Sequence, residues 1–147
     1  MPRNAAGYEE DFVAWTEEQV RLLRAGELAL LDIENLAEEI ESMGRSTRRE
    51  LRNRLTVLVA HLLKWQYQPG FRSRSWSAAL REQRQQIDDL VEESPSLRAL
   101  LAEGLDRIYV AARDRAATET GLPDSLFPTE CPFTPEQIRA PDFLPEG

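Results

Sequence analysis

The sequence predicts an all-α protein, an antiparallel bundle of about five helices over residues 9–121 with a proline-rich C-terminal arm over residues 122–147. Leu, Ala, Glu, Arg and Gln dominate the composition, and these residue types favour helix. Apolar residues recur at steps of three and four, which is one face of a helix. A chain of 147 residues is the usual size of one domain, so we expect a single domain.

The first helix is predicted over about residues 9–25. Gly26 follows it, where a left-handed residue commonly ends a helix. Its apolar face comprises Phe12, Trp15, Gln19, Leu22 and Leu23.

The second and third helices are predicted as an antiparallel pair. The second helix begins after Asp32, a suitable N-cap, and ends at Gly44. The third helix follows Ser46 and runs to about Gln68. A connection of only two residues, Arg45 and Ser46, implies antiparallel neighbours. The apolar stripes are Ile33, Leu36, Ala37, Ile40 and Met43 on the second helix, and Leu51, Leu55, Leu58, Val59, Leu62 and Trp65 on the third.

The fourth helix is predicted over about residues 76–93, and the fifth starts at Ser94-Pro95 and continues to Gly121. In the arm, Thr134 to Gln137 reads as a capping box that opens a short helix. Because the arm is rich in apolar residues, we expect it to pack on the bundle. The predicted buried residues are Trp15, Leu36, Ile40, Leu55, Leu58, Leu62, Trp65, Leu80, Ile87, Leu101 and Ile108.

Long stretches of the chain resemble a bacterial domain-of-unknown-function family, family 29. The stretches are LDIENLAEEIESMGRSTRRELRNRLTVLVAHLLKWQYQP from Leu31 to Pro69, YEEDFVAWTEEQ, RSRSW, REQRQQI, SPSL and ETGLPDSLFPTECPFT. The resemblance covers Tyr8 to about Pro145. It implies an all-helical cytoplasmic bacterial protein, and it brings no activity and no catalytic residue set to carry over.

Charge is unevenly distributed along the chain. The net charge is −8, but residues 45–84 hold 10 basic and 2 acidic residues, between two acidic flanks. The simplest interpretation is that the basic middle pairs with the acidic flanks; an anion-binding face is the alternative. Overall acidity argues against strong nonspecific nucleic-acid binding, which needs a net-positive footprint.

The residues typical of catalysis and of metal binding do not form a recognisable motif. Glu34, Glu38 and Glu41 share one side of a helix, which favours a solvated acidic face over a metal site completed by His61, the single histidine. Cys131, the single cysteine, has no neighbour in sequence that would activate it. We therefore predict no catalytic residues, no metal and no cofactor, and leave open whether the protein is an enzyme.

The segment around the predicted turn between the third and fourth helices is the strongest candidate ligand site. Its members are His61, Trp65, Gln68, Arg72, Arg74 and Trp76. Arginines beside tryptophans can clamp a phosphate or carboxylate and stack on a ring. The alternative is structural: the tryptophans anchor the core, and the arginines cap helix carbonyls or pair with acids.

The leading functional hypothesis is a non-enzymatic interaction or accessory module with a protein partner, or a homodimer formed through a helical face. It rests on abundant amphipathic helix without a catalytic set. The alternatives are a pocket for a small anionic ligand or a substrate around His61 and the Arg72/Arg74 turn, and nucleic-acid binding through residues 45–84. The lone cysteine and the lack of a long apolar run predict a cytoplasmic protein with no membrane span.

Overall fold

The computed structural model describes residues 7–146, which form six α-helices and no strand. The predicted all-α class is therefore confirmed. The helices are α1 (Phe12–Ala25), α2 (Ile33–Tyr67), α3 (Arg74–Glu93), α4 (Arg98–Glu103), α5 (Leu105–Thr120) and α6 (Pro135–Arg139). The chain divides into two compact units, Met1–Thr47 and Arg48–Gly147, and α2 contributes residues to both. The single-domain organisation stays a prediction.

In the first unit, α1 begins at a side-chain cap and ends at a glycine. The Asp11 carboxylate accepts a hydrogen bond from the Ala14 N–H at 3.0 Å, so the helix begins at Phe12, three residues later than predicted. Gly26 ends it with a left-handed φ of 73°, as predicted.

Polar contacts at Asp32 join α1 to the start of α2. The Trp15 Nε1–H donates to the Asp32 carboxylate at 2.9 Å, and the Asp32 N–H donates to Gln19 Oε1 at 2.8 Å. Hydrogen bonds from Asn35 and Trp15 hold the pKa of Asp32 below its usual value, against the opposing effect of partial burial.

The predicted break at Gly44 is wrong, because α2 runs without interruption through 35 residues. Gly44 keeps a negative φ, and within a helix a glycine costs only about 1 kcal/mol relative to alanine. Arg45 bridges back to Glu38 and Glu41 at 3.3 and 3.4 Å, consistent with continuous helix across the predicted turn. The predicted antiparallel pairing of residues 33–44 with residues 46–68 is therefore wrong as well.

Without that fold-back, part of the predicted core faces solvent. Ile40 is 64% exposed and was wrongly predicted to be buried, and Leu36 and Trp65 are only half-buried. The other predicted core residues are buried: Trp15, Leu55, Leu58, Leu62, Leu80, Ile87, Leu101 and Ile108.

The second unit has one hydrophobic core, built from the C-terminal half of α2, from α3 and α5, and from the arm. Lys64 Nζ lies 5.1 Å from the ring centroid of Trp76, and Arg54 Nη1 donates to Gln83 Oε1 at 3.3 Å. Earlier residues of α2 thus meet later residues of α3, which makes these two helices antiparallel. α3 starts at Arg74, with Ser73 as its N-cap.

The predicted fifth helix is divided at Gly104 into α4 and α5, after a 3₁₀ turn over Pro95–Leu97. The Gly104 N–H bonds the Leu100 carbonyl at 3.0 Å, and an added Cβ would lie 2.8 Å from that oxygen. The absence of a side chain at Gly104 therefore permits this close approach of two turns.

We expect Gly104→Ala to lower the free energy of unfolding by about 1 kcal/mol, because the new methyl group would displace the Leu100 carbonyl. Gly70→Ala is the matched control, since no atom lies within 4 Å of its Cβ position. Urea titration compares the two variants. A Gly104→Ala protein as stable as Gly70→Ala would refute the steric explanation.

The C-terminal arm packs into the core of the second unit, as expected from its apolar residues. Phe127, Phe133 and Ile138 are buried there. The predicted capping box is confirmed: Thr134 caps α6, and the side chain of Gln137 accepts a hydrogen bond from the Thr134 N–H at 3.0 Å.

Arg84 of α3 connects the arm to the helices, and the residue is only 4% exposed. It donates to the carbonyls of Ile138 at 2.8 Å, Phe143 at 2.9 Å, Gln137 at 3.3 Å and Pro141 at 3.4 Å. Burial lowers the pKa of Arg84, and Asp142 opposes that effect. Carbonyl dipoles, together with this nearby charge, take the place of a direct ion pair.

Candidate functional site

The predicted ligand cluster lies around the turn between α2 and α3, but one of its two arginines, Arg72, contacts a tryptophan of the same cluster. Arg72 Nε donates to the Trp65 carbonyl at 2.7 Å, and the Arg72 guanidinium lies 5.1 Å from the centroid of the Trp65 ring. Lys64 lies over Trp76 in the same way. This arrangement favours the structural interpretation, in which Arg72 caps the last turn of α2.

His61 is half-buried on α2. Its Nδ1–H donates to the Val57 carbonyl at 2.8 Å, which leaves Nε2 as an acceptor. Burial lowers the pKa of His61, partly countered by the hydrogen bond to Val57. Nearby, Glu119 binds Lys64 at 3.1 Å and Arg115 at 2.9 Å, so its charge is already compensated.

Gln68 and Arg74 complete the cluster. The Gln68 carbonyl accepts from the Phe71 N–H at 3.0 Å and so opens the 3₁₀ turn over Pro69–Phe71. Arg74 is exposed, and its side chain makes no hydrogen bond or ion pair within residues 7–146. Four surface cavities, of about 330 to 630 Å³, are lined by other residues of the chain. The ligand site stays a prediction.

The side chains suited to metal or nucleophilic chemistry are not grouped. Over the described part of the chain, no set of three His, Cys, Asp or Glu residues is placed to hold a metal ion. The Cys131 thiol donates to the Phe133 carbonyl at 3.4 Å, and burial raises its pKa, which disfavours the reactive thiolate.

The basic residues of the segment 45–84 are not all free on the surface. Arg84 is buried against the arm, Arg54 pairs with Glu50 at 3.0 Å, and Arg45 pairs with Glu38 at 3.3 Å. Nucleic-acid binding stays a hypothesis for the exposed arginines that make no ion pair within residues 7–146, which are Arg48, Arg49, Arg52, Arg74 and Arg81.

The first unit displays a concentrated apolar surface. Of the 13 large exposed hydrophobic residues in the described chain, nine lie between residues 12 and 43. On α2 they form a stripe together with an exposed alanine, here called the seam: Ile33, Ala37, Ile40 and Met43. Ile33, Ile40 and Met43 are 67%, 64% and 61% exposed. Large contiguous apolar patches on a protein surface are typical of interaction sites.

The seam lies on a different side of α2 from the residues that the first unit partly covers. The half-buried residues of α2 in this unit are Asn35, Leu36, Glu39 and Thr47. The Tyr8 hydroxyl donates to the Glu39 carboxylate, which raises the pKa of Tyr8 to about 12. Periodicity identified the stripe, but the same spacing is expected whether the partner is in the chain or outside it.

No helix within residues 7–146 is both long and apolar enough to cross a membrane. A family model described as "Domain of unknown function DUF29" matches residues 8–144, in agreement with the resemblance found in the sequence. No curated protein and no solved structure matches the chain.

Proposed function

Because the chain belongs to the DUF29 family, whose description names no activity, we propose its function from its own surface: it is a non-enzymatic interaction module that binds a polypeptide through the seam. The observation that carries this proposal is the exposure of Ile33, Ile40 and Met43 on one helix face. Full burial of one such side chain contributes about 1.5–3 kcal/mol, so a partner covering all three would gain a substantial driving force.

Several side chains at the suggested catalytic or ligand pocket are already engaged in contacts within the chain. Lys64 and Arg72 are engaged with tryptophan rings, and His61 is hydrogen-bonded to the backbone. The seam, by contrast, has no covering element among the described residues. The lone cysteine supports a cytoplasmic location, which we propose as part of the same function and which cell fractionation would test.

A photo-crosslinking amino acid at position 40, compared with one at position 110, tests the interaction in cells. Val110 is a matched control because it is 69% exposed but belongs to α5 in the second unit and not to the seam. We expect discrete crosslinked products from position 40 that disappear when Ile33 and Met43 are changed to glutamine. Absence of product at position 40, or equal product at both positions, would contradict the proposal.

A further inference from the structure

We propose that the seam binds a cationic amphipathic helix of another polypeptide, with lysines or arginines along one edge of its apolar stripe. This inference rests on the proposed function and names the chemical class of the partner. It follows from the carboxylates beside the seam, which lie with the seam in the first unit.

Three glutamates, here called the glutamate row, follow one edge of the seam. Glu34 precedes Ala37 by three residues and Glu41 follows it by four, so both are neighbours of Ala37 on the helix surface. Glu38 belongs to the same row, because it follows Glu34 by four residues and precedes Glu41 by three. All three glutamates are exposed. A helix that covers the seam therefore comes close to three carboxylates.

The glutamate row keeps an excess of negative charge. Arg45 lies 3.3 Å from Glu38 and 3.4 Å from Glu41, so one cation serves two carboxylates. Glu34 makes no hydrogen bond or ion pair within residues 7–146. The side chains of Glu38 and Glu41 are still 61% and 69% exposed. Such solvated pairs contribute little to stability, so they can exchange for contacts with a partner.

The first unit is strongly acidic beyond the row itself. Residues 7–47 contain 11 acidic residues and three arginines, which gives a net charge of −8. A field of this sign attracts a cationic partner and opposes the approach of an anionic one. Nucleic acids and anionic membrane surfaces carry charge of the same sign as this unit, so charge complementarity favours a basic polypeptide over both.

The apolar residues of α2 in this unit have the spacing that a facing helix requires. Residues at i, i+3, i+4 and i+7 form a hole that receives one side chain of the partner helix. α2 has this spacing at Ile33, Leu36, Ala37 and Ile40. Ala37 is the smallest of the four, which leaves room for a large apolar side chain. The rise from Ile33 to Met43 is about 15 Å, close to three helical turns.

The spacing of the glutamate row predicts the sequence pattern of the partner. Successive glutamates are four and three residues apart, so cations at the same steps on the partner helix would each face a carboxylate. We therefore expect lysines or arginines at steps of three and four, beside apolar residues with the same period.

Fluorescence anisotropy with two labelled peptides tests the class of partner on the purified full chain. The first peptide is an amphipathic helix of leucine and lysine, about four turns long, and the second has glutamate in place of every lysine. We expect only the lysine peptide to bind. Ile40→Gln should weaken its binding about tenfold, and Val110→Gln, the exposed control on α5, should leave it unchanged. Equal binding of the two peptides, or no binding of either, would overturn the inference.

Charge reversal tests whether the glutamate row recognises the partner. One variant changes the row to lysine. The matched control changes three exposed glutamates of α3 in the same way and has the same net charge: Glu82, Glu92 and Glu93. We expect the first variant to bind the lysine peptide at least about tenfold more weakly and the control less than about twofold more weakly. Circular dichroism establishes that both keep their helix content. Equal losses would mean that net charge alone attracts the peptide, and the inference would fail.

The two proposals fail on different results. Peptides that do not bind, together with seam-dependent photo-crosslinks in cells, would refute the cationic helix and leave the interaction module standing. Crosslinks to a second copy of the chain would have the same meaning. If neither peptide binds and no seam-dependent crosslink forms, both proposals are wrong.

Discussion

Replacing Arg84 with methionine is expected to lower the free energy of unfolding by about 3–5 kcal/mol and to release the C-terminal arm. Arg84 is 4% exposed, and its guanidinium donates to four carbonyls between Gln137 and Phe143. Methionine fills much of the same volume but leaves these oxygens without donors in a buried place, where water cannot easily replace them. The arm also buries Phe127, Phe133 and Ile138, so its loosening would expose part of the core.

Urea unfolding and limited proteolysis would measure the two consequences of Arg84→Met separately. Arg81→Met is the matched control, because Arg81 lies one turn earlier on α3 and is exposed. Arg84→Lys should be intermediate, since lysine retains the charge but cannot reproduce the forked geometry of the donors. Arg84→Met with the stability and protease resistance of Arg81→Met would show that the arm is held by its apolar residues alone.

Local signals in the sequence identified the ends of several helices. Gly26 ends α1 in a left-handed conformation, and Thr134 and Gln137 form the capping box of α6. These features depend on residues within a few positions of one another, which is why they can be read without a structure. The turn predicted at Gly44 was wrong because a glycine permits a turn but does not require one.

Long-range pairing could not be read in the same way. The sequence placed His61, Trp65 and Arg72 near one turn, and the structure does bring them there. Capping of a helix carbonyl was one of the two roles open for Arg72, and its hydrogen bond to the Trp65 carbonyl agrees with that role. Nothing in the sequence indicated that Arg84 would contact the arm more than 50 positions away. An arginine in a basic segment looks the same whether its partner is solvent, a carbonyl or a phosphate.

The apolar residues of α2 show the same limit of prediction from sequence. Ile40 and Leu58 lie about five turns apart on one face of α2, and both were expected to be buried. Leu58 is 0% exposed in the second unit, whereas Ile40 is 64% exposed. Helical periodicity reports that a face is apolar, and only the contacts show whether this chain covers it.

Whether the seam lies outside the core of the chain can be measured by comparing Ile40→Gln with Leu58→Gln in urea unfolding. We expect Ile40→Gln to stay within about 0.5 kcal/mol of the wild type, because its side chain remains in water. Leu58→Gln should lose about 3 kcal/mol or more, since it places an amide in the core. A loss of unfolding free energy for Ile40→Gln as large as that for Leu58→Gln would mean that the chain buries its own seam, and it would contradict the exposure of this surface.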